Sequence, residues 1–270
     1  MRQTSKAPTC ALSSAARTSC YRVYESIAPS VTQDKDKLSI VSGEGTYFHV
    51  VSTQEDNFIE LTLTEKQLED LDIELSSGDV VFNDISLDGD ISTSSGNIEI
   101  YGSENGKDVN LTASTGDITV KNSGFKSLNK KSSSGKSSFE NVKTDEAYLE
   151  STSGDTTAAG CTFGSLRKKS STGASQFDDI TCGDMNLEAS SGSTSVTCTS
   201  VCDIVSVSES GDVSIRFPGS RSEFDCELSA DSGSISVGGN SYDEDYVDIR
   251  GAAHKVKCKT SSGDITIEHN

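Results

Sequence analysis

Between residues 77 and 264 a glycine flanked by small, mostly hydroxylated or acidic residues returns at nearly constant spacing. Its occurrences are Ser77-Gly78-Asp79, Ser95-Gly96-Asn97, Thr115-Gly116-Asp117, Ser134-Gly135-Lys136 and Ser153-Gly154-Asp155. It continues as Thr172-Gly173-Ala174, Ser191-Gly192-Ser193, Ser210-Gly211-Asp212, Ser232-Gly233-Ser234 and Ser262-Gly263-Asp264. Successive glycines lie 18, 20, 19, 19, 19, 19, 19, 22 and 30 residues apart. A period this short leaves no room for a helix in each repeat, and units this small bury apolar surface only against their neighbours.

The residues after each glycine alternate with the period of a half-buried strand. The fourth position is apolar in all ten repeats, from Phe82, Ile100 and Val120 through Phe139 and Phe177 to Val237 and Ile267. The second position mixes Val80, Ile98, Ile118 and Ile265 with Ser137, Thr156, Ser175 and Thr194. Five residues before the glycine stand Ile73, Ile91, Leu111, Leu149, Leu187 and Leu228. Each repeat therefore reads as strand, glycine corner, strand. The corner uses the freedom of glycine at positive φ, and the adjoining hydroxyls and Asp suit a turn. The expected fold is an all-β, single-domain, right-handed β-solenoid of about ten coils of 19–20 residues. Residues 76–270 form the repeats, 38–75 form capping strands around 47–52 and 58–64 with a helical turn at 64–67, and 1–37 form a disordered or targeting leader. Residues 238–248 are the one sizeable insertion, and the last coil has no evident cap.

Composition agrees with a thin, repetitive core: 23 Gly, 3 Pro, no Trp, and 33% apolar residues. The net charge, 23 − 42 = −19, disfavours nucleic acid and anionic lipid surfaces and favours a soluble monomer. No apolar run approaches 18 residues, so no membrane-spanning segment is expected. The first acid is Glu25, preceded by Arg2, Lys6, Arg17 and Arg22 among many Ser, Thr and Ala. That composition resembles an organellar presequence but lacks the apolar core of a secretory signal, and neither Cys10 nor Cys20 follows the apolar run of a lipoprotein cysteine.

A longer period overlies the first. Phe125-Lys126-Ser127-Leu128-Asn129-Lys130-Lys131-Ser132 recurs 38 residues later as Phe163-Gly164-Ser165-Leu166-Arg167-Lys168-Lys169-Ser170. Lys130 and Lys168 stand where other coils place Leu. A charged residue at a core register predicts a bulge, with Leu128 and Leu166 taking the inward place. The lysines then form either a basic patch or a relief of like-charge stacking.

Residues with chemical potential are sparse. The Asp after each glycine forms a column (Asp79, Asp117, Asp155, Asp212, Asp264) that could ligate calcium, but Lys136, Ala174, Ser193 and Ser234 interrupt it and turn capping is the expected role. His49, His254 and His269 are scattered, with no nucleophile beside them. No Cys-x-x-Cys pair exists, so a structural zinc site is not expected although Cys198 and Cys202 are close in sequence. By coil position, Cys226 with Cys258 and Cys182 with Cys202 are candidate disulfide pairs, set against buried free thiols. No catalytic, metal or cofactor-binding residue is assigned.

The Ser-Gly-Asp-Ile type corners, the entry Leu71-Asp72-Ile73-Glu74-Leu75-Ser76-Ser77-Gly78-Asp79, the closing Thr260-Ser261-Ser262-Gly263-Asp264-Ile265 and Arg216-Phe217-Pro218-Gly219 resemble bacterial adhesin-type β-solenoid repeat domains of unknown function, over about residues 38–270. The resemblance implies a β-helix, commonly extracytoplasmic and held to Gram-positive cells by a membrane anchor, and it brings no catalytic residues. A cell-surface or envelope-associated scaffold that binds a macromolecule on a flat strand face is the leading expectation. Its rival is a carbohydrate-active β-helix enzyme acting on an acidic polysaccharide. Clustered carboxylates beside an Arg-lined groove would favour the rival. An organellar or cytoplasmic location stands as the alternative to the surface.

Overall fold

The computed structural model describes residues 79–269 throughout. Before them it describes the strand backbones Gln67–Ser77, Ile59–Thr62, Phe48–His49, Lys37–Val41, Ser30–Asp34, Thr18–Val23 and Thr9–Leu12. Phe48–His49 and Ile59–Thr62 fall within the two expected capping strands. Most of the expected leader and residues 64–66 of the expected helical turn lie outside the described residues, while Gln67 opens a strand.

Each repeat contributes a long strand, the glycine corner and a short strand, as in Gly106–Thr115 followed by Ile118–Lys121. Like strands of successive repeats pair in parallel and in register, so two sheets face each other across a thin interior. Burial alternates along both strand types. In Ile118–Lys121 it is Ile118 and Val120 that point inward, and Phe139 and Phe177 occupy the same column. A parallel ladder supplies its main-chain hydrogen bonds between repeats, so every backbone polar group of an inner strand is paired above or below.

The corner works only because it carries no side chain. At Gly135, φ is +109°, and a Cβ there would stand 2.1 Å from the carbonyl oxygen of Gly116 in the neighbouring corner. A second corner lies six residues on, where Asp84, Asn122, Asn141 and Asp179 take left-handed backbone, with Gly102 and Gly160 at the equivalent places. Asn, Asp and Gly tolerate that region best. Sequence reading passed over this column although its spacing from the glycine is constant.

The corners from Gly96 to Gly211, about seven turns, stack in chain order behind the level of Gln67–Ser77 and Val80–Asn83, whereas the glycine spacing predicts ten consecutive coils. Beyond Gly211 the order inverts. The corner resting on Gly211 is Gly263, and the one resting on Gly263 is Gly233. The final strands His254–Ser262 and Ile265–His269 thus lie between Asp203–Ser210/Val213–Phe217 on one side and Phe224–Ala230/Ile235–Val237 on the other. The chain skips a level at Pro218-Gly219 and the 3-10 turn Arg221–Glu223, then returns to fill the gap. Phe217 packs on Phe224 across the skipped level with ring centroids 5.1 Å apart, and the ring of His269 meets Phe224 edge-on at 6.1 Å.

This arrangement corrects the expectation of an uncapped last coil. The terminal strands are interior, and the 238–248 insertion covers the end instead. Gly238 and Gly239, with φ of +54° and +79°, close a two-residue hairpin from Ile235–Val237 into Asn240–Tyr242. Asp245–Asp248 then pairs antiparallel with Phe224–Ala230. At this end each sheet therefore closes on a reversed strand, which denies the next molecule a parallel template.

The expected bulge at the lysines is absent. Lys130 pairs with Leu149 and Leu149 with Lys168 in unbroken register, and both lysines are buried along with Leu128 and Leu166. All four side chains point inward because each lysine lies two residues after its leucine.

Two outcomes test this architecture. Phe177→Asp places an unpaired charge in a fully buried column and lowers stability by roughly 3–5 kcal/mol, whereas Phe177→Leu costs about 1 kcal/mol, read from urea unfolding midpoints; equal midpoints would reverse inside and outside. Deleting 136–173 removes two whole coils, joins Gly135 to Ala174 and keeps a cooperative, strand-rich fold. Deleting 254–269 extracts an internal level and abolishes cooperative unfolding or causes aggregation, measured by circular dichroism and light scattering.

Candidate binding face

The outer face of the long-strand sheet is a set of in-register rows. One row runs Lys131, Glu150, Lys169, Glu188 and then Val207. The adjoining row places Arg167 beside Asn186 and then Val205, and Arg167 Nη2 reaches Glu188 Oε1 at 3.4 Å. Lys131 and Lys169 are thus interleaved with carboxylates rather than gathered into a basic patch. Opposite charges on neighbouring strands relieve the repulsion that a single-sign column would suffer, each pair contributing no more than about 1 kcal/mol at this exposure.

Beyond Glu188 the rows change character. Val205 and Val207 are 39% and 44% exposed, and Val247 and Ile249 on the cap are 66% and 61% exposed. The side chains of Lys257 and Lys259 rise between them on the inserted strand, Lys257 paired with Glu227 at 2.6 Å. These residues line a shallow open groove of about 510 Å³. Of the five large exposed apolar side chains among the described residues, four belong to this region, Val81 being the fifth.

The cap that carries Val247 and Ile249 is held by charge. Asp248 Oδ2 accepts from Arg250 Nη2 at 2.6 Å and lies 3.0 Å from Arg221 Nη2. The Arg250 guanidinium, and then that of Arg221, hold the Asp248 carboxyl below the usual carboxylate range. Arg221 itself sits 4.7 Å from the Phe224 ring centroid and 5.8 Å from that of Tyr246. Asp225 accepts from the amides of Arg250 and Ala252 at 2.8 and 3.1 Å, which also lowers its carboxyl.

The Asp column is committed to the backbone. Asp79 Oδ1 accepts from the Asn97 amide at 2.7 Å, Asp117 Oδ1 from Lys136 at 2.7 Å and Asp155 Oδ1 from Ala174 at 2.9 Å. Asp212 Oδ1 takes the Asp264 amide at 2.9 Å, and Asp264 Oδ1 takes that of Ser234 at 2.8 Å. Each carboxylate caps the corner of the next level, including the levels stacked out of chain order. Among the described residues no group of three His, Cys, Asp or Glu is placed to hold a metal ion.

The described cysteines are buried free thiols. Cys226 lies opposite Val256 and Cys258 opposite Leu228, so this candidate pair sits diagonally on neighbouring strands. Burial pushes the Cys258 thiol up strongly and that of Cys226 to about 11. In the other candidate pair, the Cys182 thiol donates to the Asp184 carbonyl at 2.9 Å, and burial raises it to about 12. Cys202 acts in the same sense on the Cys182 thiol and itself lies 3.9 Å from Cys198, sulfur to sulfur, a contact that raises its own thiol. His254 Nδ1 stands 3.5 Å from Asp203 Oδ1. The side chain of His49 lies outside the described residues.

Among the described residues no helix is long and apolar enough to cross a membrane. No curated protein and no solved structure matches the chain. A family model does match, over residues 24–268, described as Toastrack DUF4097 and denoting a domain of unknown function built as a repeat β-solenoid. It begins ahead of residue 38, where the repeat pattern alone places the start of the domain. With nearly its whole length matched, the chain belongs to the Toastrack DUF4097 family.

Proposed function

We propose that the protein is a non-catalytic, envelope-associated scaffold that binds a macromolecule across the C-terminal part of its long-strand sheet. The observation that carries this reading is the gathering of Val205, Val207, Val247 and Ile249 on one face that is otherwise built of charge ladders. Apolar side chains in such a concentration on a soluble surface are characteristic of interaction sites. The flanking Lys257, Lys259 and Glu227 provide the polar rim that orients a partner. The rigid solenoid beneath fixes all of them without a closing motion.

A scaffold role also suits the rest of the surface. The regular levels expose short turns at both corners, and the carboxylates nearest those turns are engaged by backbone amides. The surface location and the adhesin-like role rest on the resemblance of the Ser-Gly-Asp-Ile corners to bacterial adhesin-type repeats. Binding along a strand face is the use of the fold that asks least of loops and most of flat, repeating side-chain rows.

Cosedimentation with purified Gram-positive cell envelopes tests the reading. The unaltered protein is retained, and the double variant Val207→Asp/Val247→Asp loses about five- to thirtyfold in apparent affinity, since two desolvated apolar contacts are worth roughly 1–2 kcal/mol together. Thr112→Asp, on the same sheet several levels away, keeps full retention. Equal retention of all three proteins would remove this face as the binding surface. Release of soluble sugar from the envelopes would make the protein an enzyme instead.

A further inference from the structure

Two of the buried thiols differ from the others in what their sulfurs face. Cys161 Sγ accepts from the Val142 amide and donates to the Ala159 carbonyl, both at 3.4 Å. Cys182 Sγ donates to the Asp184 carbonyl at 2.9 Å, and Cys226 and Cys258 sit diagonally on neighbouring strands. Cys198 and Cys202 face each other, sulfur to sulfur, at 3.9 Å.

A slip in the ladder produces this contact. Phe177 pairs with Val196, but three residues later Ile180 pairs with Cys198, only two residues after Val196. Without the slip Cys198 would stand on Asp179, the left-handed residue of the second corner. The slip moves it onto fully buried Ile180 and turns its side chain inward. The levels return to their original offset at Asp184 and Asp203, after the irregular turn Thr199-Ser200-Val201. That turn is held to the preceding level by the Thr199 amide on the Ile180 carbonyl at 2.8 Å, and by a 2.6 Å contact between the Thr181 and Thr199 hydroxyls. It delivers Cys202 inward as well. Against it lies the point where the chain leaps a level, since a Cβ on Gly219 would stand 2.8 Å from Val201 Cγ2.

We propose that Cys198 and Cys202 form a redox modification site, oxidised to an intramolecular disulfide by a low-molecular-weight disulfide. The inference concerns the fold's own thiols and stands apart from the binding role. Cys198 is 5% exposed against 1% for Cys202 and adjoins exposed Thr199 and Ser200, so exchange starts there. The Cys198 thiol gives its proton to solvent and its sulfur attacks one sulfur of the oxidant. The other sulfur leaves as a thiolate and takes up a proton. Cys202, losing its own proton, then attacks Sγ of Cys198 in the mixed disulfide and expels the second thiol. Two protein thiols become one disulfide, and the oxidant is reduced to two thiols. Contact with Cys198, and then burial, raise the Cys202 thiol, which makes it the second to react. The irregular turn between the two cysteines lets their sulfurs close to bonding distance while the flanking strands stay in the ladder. The bond closes a ring over the turn that feeds Asp203–Ser210, and so pins the last level stacked in chain order.

Peptide mapping of the full chain tests this. The folded protein is incubated with glutathione disulfide, trapped with N-ethylmaleimide in denaturant, and cleaved after Lys, Arg and Glu. Segment 189–209 then carries both cysteines, and segment 170–188 carries Cys182. Segment 189–209 should be free of maleimide and two hydrogens lighter than its dithiol form, in Cys182→Ser as in the unaltered chain. Oxidation should raise Tm by about 4–8 °C, the effect of closing so short a ring, and should leave Cys198→Ser/Cys202→Ser unmoved. Maleimide on both cysteines, glutathione retained on Cys198, a cross-link between the two segments, or an equal Tm rise in the double variant would each overturn the proposal. Should the double variant fail to fold, the mass of segment 189–209 from the unaltered chain decides the question.

Discussion

Everything in this structure depends on how closely one glycine corner can sit on the next. The carbonyl of each corner occupies the space that a Cβ of its neighbour would fill, 2.1 Å away at Gly135 and Gly154. That contact sets the distance at which adjacent levels exchange main-chain hydrogen bonds, so any other residue would shift the level and loosen the ladders on both sides. The Asp and Asn side chains beside the glycines finish the job by capping the amide of the following corner. A solenoid with no central core thereby obtains its uniqueness from local contacts repeated in register, and its stability is spread along its length.

Order in space then separates from order in the chain. A level of the ladder recognises its neighbours by register and side-chain fit, and nothing in that recognition refers to sequence position. The 3-10 turn Arg221–Glu223 lets the chain leap one level, and the carboxy-terminal strands fill the vacancy with both edges paired. A terminal strand locked in this way is closed from both sides, whereas an end-stacked one would fray. The same leap frees the insertion to fold back as a cap, and the cap brings Val247 and Ile249 to the face that already shows Val205 and Val207.

The interior tolerates more polarity than its thinness suggests, because the polar groups are grouped beneath the corners. Ser, Thr and the Lys130 and Lys168 ammonium groups cluster there, while the column through Phe139, Ala158 and Phe177 stays apolar beside them. A lysine reaches this zone because its long apolar stem covers the same surface as leucine before its charge emerges among hydroxyls.

Much of this was legible from residues alone. The glycine period determined an all-β solenoid, and the alternation beside it identified the inward column through Phe139 and Phe177, since period and burial are both local properties. The Asn, Asp and Gly column of the second corner was equally readable at its fixed offset and was overlooked. Other features were decided only by tertiary structure. Lys130 and Lys168 lie inward without a bulge because the leucine register and their partners across the ladder outweigh the preference of a single side chain for water. Cys202 meets Cys198 as well as neighbouring Cys182 because a turn, which no coil arithmetic represents, folds between residues 198 and 202. The inverted order of the last levels, and with it the apolar face and its cap, arises from pairings between residues up to 52 positions apart, such as Arg216 with Glu268. Periodicity specifies what each level is made of, but the choice of neighbour belongs to the packed fold, where the free energies of whole ladders are compared.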